Sequence, residues 1–374
     1  MDDRGHGSTA GFASTRSNEG GSATGRRGRV RGPRGAATAG RCPDIHPGAH
    51  SGRTSRVARV AALLALVVAT SAAAQEFPSR PLRLVVASGP GGGTDLTARN
   101  VARTLSEHLK VAAFVENRPG AGSATGTGFV AKAPPDGYTL LFGSGSSMVM
   151  NPFLYRTLAY DSGRDFVVTG FVAAYPFVLV ARPDLPAGNL AELARLAKER
   201  PGRLTYASAG SGSLQHVWAT ILFRAMGLDL IHVPYKGASM AHPDMMAGRI
   251  DLMFDNLSAS LKHVESGRLK ALAVSPAKRA AALPQVPTVG ESGVVSFDGE
   301  SWMALFAPSA TPQVAVDRLR ALLLDVVADA EFGARVVQAG GRVMSVPAAQ
   351  QDAFLKSEIE RWGRLIRQHG VSVE

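Results

Sequence analysis

The chain has 374 residues, a formal charge of +11 and a single cysteine. That length exceeds the roughly 250–300 residues at which single cores stop growing, so two domains are expected. Apolar content of 45% with 19% charged residues excludes a disordered chain, and one cysteine excludes an intrachain disulfide scaffold.

The charge is concentrated at the front. Residues 1–59 carry eleven arginines against Asp2, Asp3, Glu19 and Asp44, a net of +7. Taking eleven from 41 basic and four from 30 acidic residues leaves 30 and 26, only +4 for the remainder. Residues 1–52 are rich in Gly, Ser and Thr, and are expected either to form no fold or to lie upstream of the true translation start. An Arg/Gly-rich RNA-binding tail is the rival reading of residues 26–32. Export would separate such a tail from nucleic acid, so no nucleic-acid partner is expected.

Residues 53–74 have the parts of a secretory signal peptide. Arg53, Arg56 and Arg59 precede the uncharged apolar run 60–69, and Ala72, Ala73 and Ala74 supply a small-residue cleavage site. The run is shorter than the ~20 residues of a bilayer span. Cleavage after Ala74 is expected to release a soluble periplasmic protein, and it removes Cys42 as well.

Beyond Gln75, short β-branched runs alternate with longer amphipathic stretches, which predicts an α/β architecture. Residues 82–86 read as a buried strand that ends at Gly89, Gly91, Gly92 and Gly93. A helix follows, capped by Thr94 or Asp95, with Ala98, Val101, Leu105 and Leu109 on one face. Strand 138–142 likewise runs into Gly143, Ser144, Gly145 and Ser146. Strand 204–207 runs into Ser208, Gly210, Ser211, Gly212 and Ser213, then a helix with Leu214, Val217, Ile221 and Leu222 inward. Strand 250–254 ends at Asp255 and Asn256. Glycines let backbone approach a ligand, and free N–H groups at helix starts attract anions. Ligands of open α/β sheets bind outside the carboxyl ends of the strands, where these loops lie. Recurrence of such loops predicts a cleft for a small anion.

Apolar stretches 177–181 and 302–308 read as two crossovers between domains. One domain is then 78–181 plus 302–374, with predicted helices at 314–327 and 350–366, and the other is 182–301. Two crossovers favour hinge closure on a ligand.

The chain has no G-x-x-x-x-G-K-[ST] and no G-x-S-x-G. His108, His216, His232, His242, His263 and His369 lack metal-ligand spacing, so neither metal nor cofactor is expected. His216 is conceivable as a base for Ser211 or Ser213, although a structural role fits it better. Lys236 reads equally as a cleft residue or an exposed turn. Met240, Met245, Met246 and Met253 read as packing residues.

Several of these segments together resemble the Bug-type substrate-binding proteins of tripartite tricarboxylate transporters. They are residues 77–86, Pro90-Gly91-Gly92-Gly93-Thr94-Asp95, residues 116–122 and 131–140, Val233-Pro234-Tyr235-Lys236-Gly237 and residues 283–291. The resemblance implies a two-domain periplasmic-binding-protein fold that holds a small carboxylate: a di- or tricarboxylate, an amino acid or an aromatic acid. It implies a pincer formed by Gly91, Gly92, Gly93, Thr94 and Asp95 from one domain and Ser208, Gly210, Ser211, Gly212 and Ser213 from the other. Ser144, Ser146 and Asp255 are further candidate contacts. The implied partners are the large and small membrane subunits of the transporter, with a sensor kinase as another client. Ala87-Ser88 and residues 237–243 depart from the family's usual pattern, which bears on ligand identity. A non-enzymatic receptor is the leading reading, and a periplasmic serine hydrolase of small esters or amides is the alternative from another class.

Overall fold

The computed structural model describes residues 77–293 and 299–373. The expected signal peptide, its cleavage after Ala74 and the front extension with Cys42 lie outside the described residues. Among the described residues no helix is long and apolar enough to cross a membrane.

The alternating pattern resolves into strands linked through one long central strand. β1 (Leu82–Val86) pairs in parallel with β2 (Ala113–Asn117) and β3 (Thr139–Ser144). β4 (Phe166–Ala181) is followed by β5 (Thr205–Ser208), β6 (Ile231–Pro234), β7 (Leu252–Asn256) and β8 (Lys270–Val274). β9 (Glu300–Pro308) is antiparallel to both β3 and β4, and the short β10 (Arg342–Val343) joins β4 at Ala173 and Ala174. The order is β2-β1-β3-β9-β4-β7-β5-β6, with β8 and β10 also on β4.

The pairing of β4 changes in mid-strand. Phe166 to Pro176 pair with β9, and Phe177 to Ala181 pair with β7 and β8. The strand 302–308, expected as a second crossover, instead pairs wholly with β3 and the first part of β4. The physical reason is register. Glu300 already faces Pro176, so the chain has returned to the first half before β9 begins.

Helices close both halves. In chain order they are α1 (Gly93–Leu109), α2 (Ala124–Ala131), α3 (Asn151–Leu154), α4 (Leu190–Glu199) and α5 (Leu214–Ala225). After these come α6 (Ala238–Met246), α7 (Leu257–Glu265), α8 (Gln313–Ala328), α9 (Ala330–Gln338) and α10 (Ala348–Gln368). α1 buries Ala98, Val101 and Leu105, and α5 buries Leu214, Val217, Ile221 and Leu222. Met245 and Met253 are packed inside, whereas Met240, expected to pack, is 56% exposed at the start of α6.

The core tightens beneath the point where β4 changes partners. Trp218, Phe177 and Phe254 pack mutually as near-parallel rings, Trp218 lying 5.2 Å from Phe177 and 5.6 Å from Phe254. Trp362 of α10 packs against Trp218 at 4.9 Å. The buried Glu358 carboxylate accepts from the indole N–H groups of Trp302 at 3.0 Å and Trp362 at 3.3 Å. The Trp302 bond ties α10 to β9 under the site, and the Trp362 bond, within α10, holds the carboxylate in place.

Candidate functional site

A cavity of about 600 Å³ opens at the carboxyl ends of β1, β3, β5 and β7. Three of its walls begin helices. Gly92 is the N-cap of α1 and gives it no side-chain bond, so the first-turn N–H groups of that helix have no cap. Ser213 caps α5 by accepting from His216 N–H at 3.3 Å. Asn256 caps α7 through Oδ1, which accepts from Ser258 N–H at 3.1 Å. Its amide nitrogen makes no hydrogen bond among the described residues. A π turn at Ser146–Met150 carries Ser146 to the same wall.

Loops from the two halves meet at either end of the cavity. At one end Ser239 Oγ donates to Pro90 O at 2.7 Å. Gly89 lies so close that a Cβ there would fall 2.6 Å from Lys236 O. At the other end Ser146 Oγ bonds Gly122 O at 2.9 Å and Gly212 O at 3.2 Å. Tyr155 OH donates to Ser211 O at 3.2 Å, and a Cβ on Gly122 would lie 2.6 Å from the Gly212 carbonyl carbon. Two glycine seams therefore bound a chamber with Phe177 and Ser301 in its lining.

Gly92, Gly93, Thr94, Ser144, Ser146, Gly210, Ser211 and Ser213 all line this chamber, and Lys236 does too. Five other expected contacts, Gly91, Asp95, Ser208, Gly212 and Asp255, do not, each because its polar group is bonded to the protein instead. Asp95 is buried. It accepts from Gly91 N–H at 2.9 Å, Arg99 Nε at 3.0 Å and Asn117 Nδ2 at 2.9 Å. Burial alone would raise its pKa, but the bonds from Arg99, Gly91 and Asn117 outweigh that and hold it low. Asp95 thus fixes the loop as an ion, with Gly91 in the left-handed region at φ +76°. Ser208 is fully buried, bonded to His232 Nε2 at 2.7 Å. Gly212 N–H points away, donating to His216 Nδ1 at 3.2 Å. Asp255 faces His242 and Ser260 in the interior. Sequence reasoning missed Asn256, Tyr155, Phe177, Ser301 and the loop from Gly120 to Ser123, all of which line the chamber.

A family model described as "Tripartite tricarboxylate transporter family receptor" matches residues 97–371. The chain belongs to that family. A relative from Pseudomonas sp. strain P51, the UPF0065 protein in the tcbD-tcbE intergenic region, is 37% identical over 89% of this receptor and 98% of its own length. The periplasmic binding protein BugD is 35% identical, with TM-score 0.76 over 79% of this receptor and 99% of BugD. Rpa4515 of R. palustris, solved with adipate, is 32% identical with TM-score 0.76, over 79% of this receptor and 99% of that chain.

Two histidines of the receptor stabilise the 208–213 loop as neutral rings. His216 and His232 stack at 4.1 Å. Burial is the main cause that pushes both down to about 4; Arg224 adds to it at His216, and His216 adds to it at His232. His216 Nδ1 accepts a backbone N–H and so faces neither Ser211 Oγ nor Ser213 Oγ as a base. Ser208, which does meet an imidazole, is sealed from the chamber. Both rings are neutral when folded and protonate near 6.5 when unfolded. Their contribution is therefore complete above pH 6.5 and is lost as pH falls from 6.5 towards 4. Thermal unfolding at pH 5.0 is expected several degrees below that at pH 7.5, a loss of about 2 kcal/mol after allowance for partial solvent access. Equal midpoints at the two pH values would contradict this.

Proposed function

We propose that this receptor is a periplasmic solute-binding protein that closes on a small dicarboxylate and presents it to the membrane subunits of its transporter. One observation carries the reading: the chamber is lined by glycine backbone, hydroxyls and one lysine and, among the described residues, by no carboxylate side chain. Uncapped N–H groups at the start of α1 and the free amide nitrogen of Asn256 suit an anion. The domains 78–181 plus 302–374 and 182–301 act as the two jaws, with Gly92, Gly93 and Thr94 on one and Gly210, Ser211 and Ser213 on the other. Asp95, Ser208, Gly212 and Asp255 serve as supports of those loops. Adipate in the similar structure of Rpa4515 supports a dicarboxylate, and the BugD likeness supports the periplasm.

Titration calorimetry with adipate, citrate, benzoate and hexanoate tests this. Saturable binding of at least one carboxylate is expected, with a raised unfolding temperature. Absence of binding across the panel at millimolar concentration would overturn the reading. Lys236→Met is expected to weaken adipate about tenfold and hexanoate much less, because the lysine suits the second carboxylate. Trp218 is stacked on the chamber residue Phe177, so its fluorescence should change on binding.

A further inference from the structure

A second groove of about 440 Å³ lies between α1, α7 and α9, outside the chamber just described. Arg99, Arg103, Lys262 and Arg335 line it, beside Leu96 and Leu261, and among the described residues no carboxylate side chain does. Three of these cations are held in place. Arg335 donates to Thr104 Oγ1 at 2.9 Å, to Glu331 at 3.0 Å and to Asn100. Arg99 is fixed by the buried Asp95 and by Asn117 at 3.1 Å, and Arg103 by Glu107 one turn on at 2.9 Å. Lys262 Nζ has no partner among the described residues. Leu96 is 43% exposed between them. Ordered guanidinium groups around an exposed leucine match a strand of carboxylates with an apolar side chain among them.

We propose that this groove docks an extended acidic segment of a partner protein, and that its affinity depends on whether the ligand chamber is occupied. The groove and the chamber share their walls. α1 begins at Gly93 and Thr94 and α7 begins after Asn256, all three of which line the chamber. The helix starts touch there, since a Cβ on Gly93 would fall 2.6 Å from the Asn256 and Ser258 side chains. A few residues on, the same helices supply Leu96, Arg99, Arg103, Leu261 and Lys262 to the groove. α1 and α9 belong with the first part of β4, and α7 follows β7 on its second part. A ligand that moves the halves therefore alters the groove, and by linkage the segment alters ligand affinity by the same factor.

The docking arm stands on groove chemistry alone, and the coupling arm rests on the closure reading. The probe is a fluorescein-labelled peptide of about twelve residues alternating Glu and Leu, titrated with full-length protein and read by anisotropy. R103E/K262E is expected to weaken it at least about tenfold, R103Q/K262Q about threefold and Leu96→Gln about threefold. Oligoglutamate of equal length should bind at least about fivefold more weakly, because it leaves Leu96 uncovered. The basic stretch 1–59 is shared by every variant, so only differences between variants count. Equal binding by wild type and R103E/K262E, equal binding of oligoglutamate, or full displacement of the peptide by millimolar citrate would each overturn docking. Saturating adipate should shift the peptide Kd at least about threefold. An unchanged Kd, with adipate binding shown by calorimetry, would overturn the coupling and leave docking intact. No adipate binding at all would count against the function reading instead.

Discussion

Gly89→Val lowers carboxylate affinity about a hundredfold while the ligand-free protein keeps its unfolding temperature. The three nearest atoms to a Cβ at Gly89 all belong to the opposite half: Lys236 O at 2.6 Å, Gly237 Cα at 3.2 Å and Lys236 C at 3.5 Å. All are backbone, so no flexible side chain can swing aside. The position does not have the positive φ that would strain a larger residue, and the loop's own bonds, from Asp95 to Gly91 N–H and Asn117 Nδ2 to Ser88 O at 3.1 Å, are untouched. The substitution therefore penalises only the arrangement in which the seam is shut. A receptor whose binding-competent state is depopulated loses affinity in that proportion, and a hundredfold corresponds to about 2.7 kcal/mol. Calorimetry with adipate reads the loss, and small-angle scattering should show a larger radius. Gly122→Ala tests the other seam, but there φ is +53°, so strain adds to the clash. Unchanged adipate affinity in Gly89→Val would show that the seam does not close on the ligand.

The asymmetry between the two glycine positions explains why the chain was only half legible. Strand-end glycines are a local signal, and residues 82–86 running into Gly89–Gly91–Gly92–Gly93 gave strand, loop and helix start together. The helices around 314–327 and 350–366 were equally plain, because a 3.6-residue apolar period needs no partner to be recognised. What a polar side chain at such a loop points to is not local. Asp95 and Asn256 both sit at strand–helix junctions, yet one turns inward to Arg99 and Asn117 while the other lines the chamber. In sequence Ser208 resembles Ser211, and only the fold brings His232, 24 positions away, beside it. Phe177 and Ser301 belong to the site only because β4 and β9 pass beneath it, and Tyr155 because the end of α3 reaches it. The apolar run 177–181, read as a crossover, starts where β4 exchanges β9 for β7 and β8 at Pro176–Phe177.

Asp255→Ala is expected to cost about 3–5 kcal/mol of stability, the largest single effect in the receptor, and to weaken the ligand as well. The carboxylate is fully buried. It accepts from His242 Nε2 at 2.9 Å, Ser260 Oγ at 2.5 Å and, through its other oxygen, Asn256 N–H at 2.8 Å. Burial alone would raise its pKa, but the His242 bond and charge, with Ser260 and Asn256, outweigh that and lower it. Its stabilisation is thus present above the unfolded value near 3.8 and is lost as pH falls below it, a window separate from that of His216 and His232. Alanine leaves three interior donors without an acceptor, whereas Asp255→Asn keeps an acceptor oxygen and should cost about 1–2 kcal/mol. The ligand effect follows from geography. Asp255 fixes the N–H of Asn256, which caps α7 and lines the chamber, and His242 ties in α6, whose first residue Ala238 lines it too. Urea unfolding gives the stability loss and adipate calorimetry the affinity loss. If Asp255→Ala does not fold, Asp255→Asn supplies both numbers. A midpoint within experimental error of wild type for the asparagine variant, together with unchanged adipate affinity, would show that this cluster supports neither the fold nor the site.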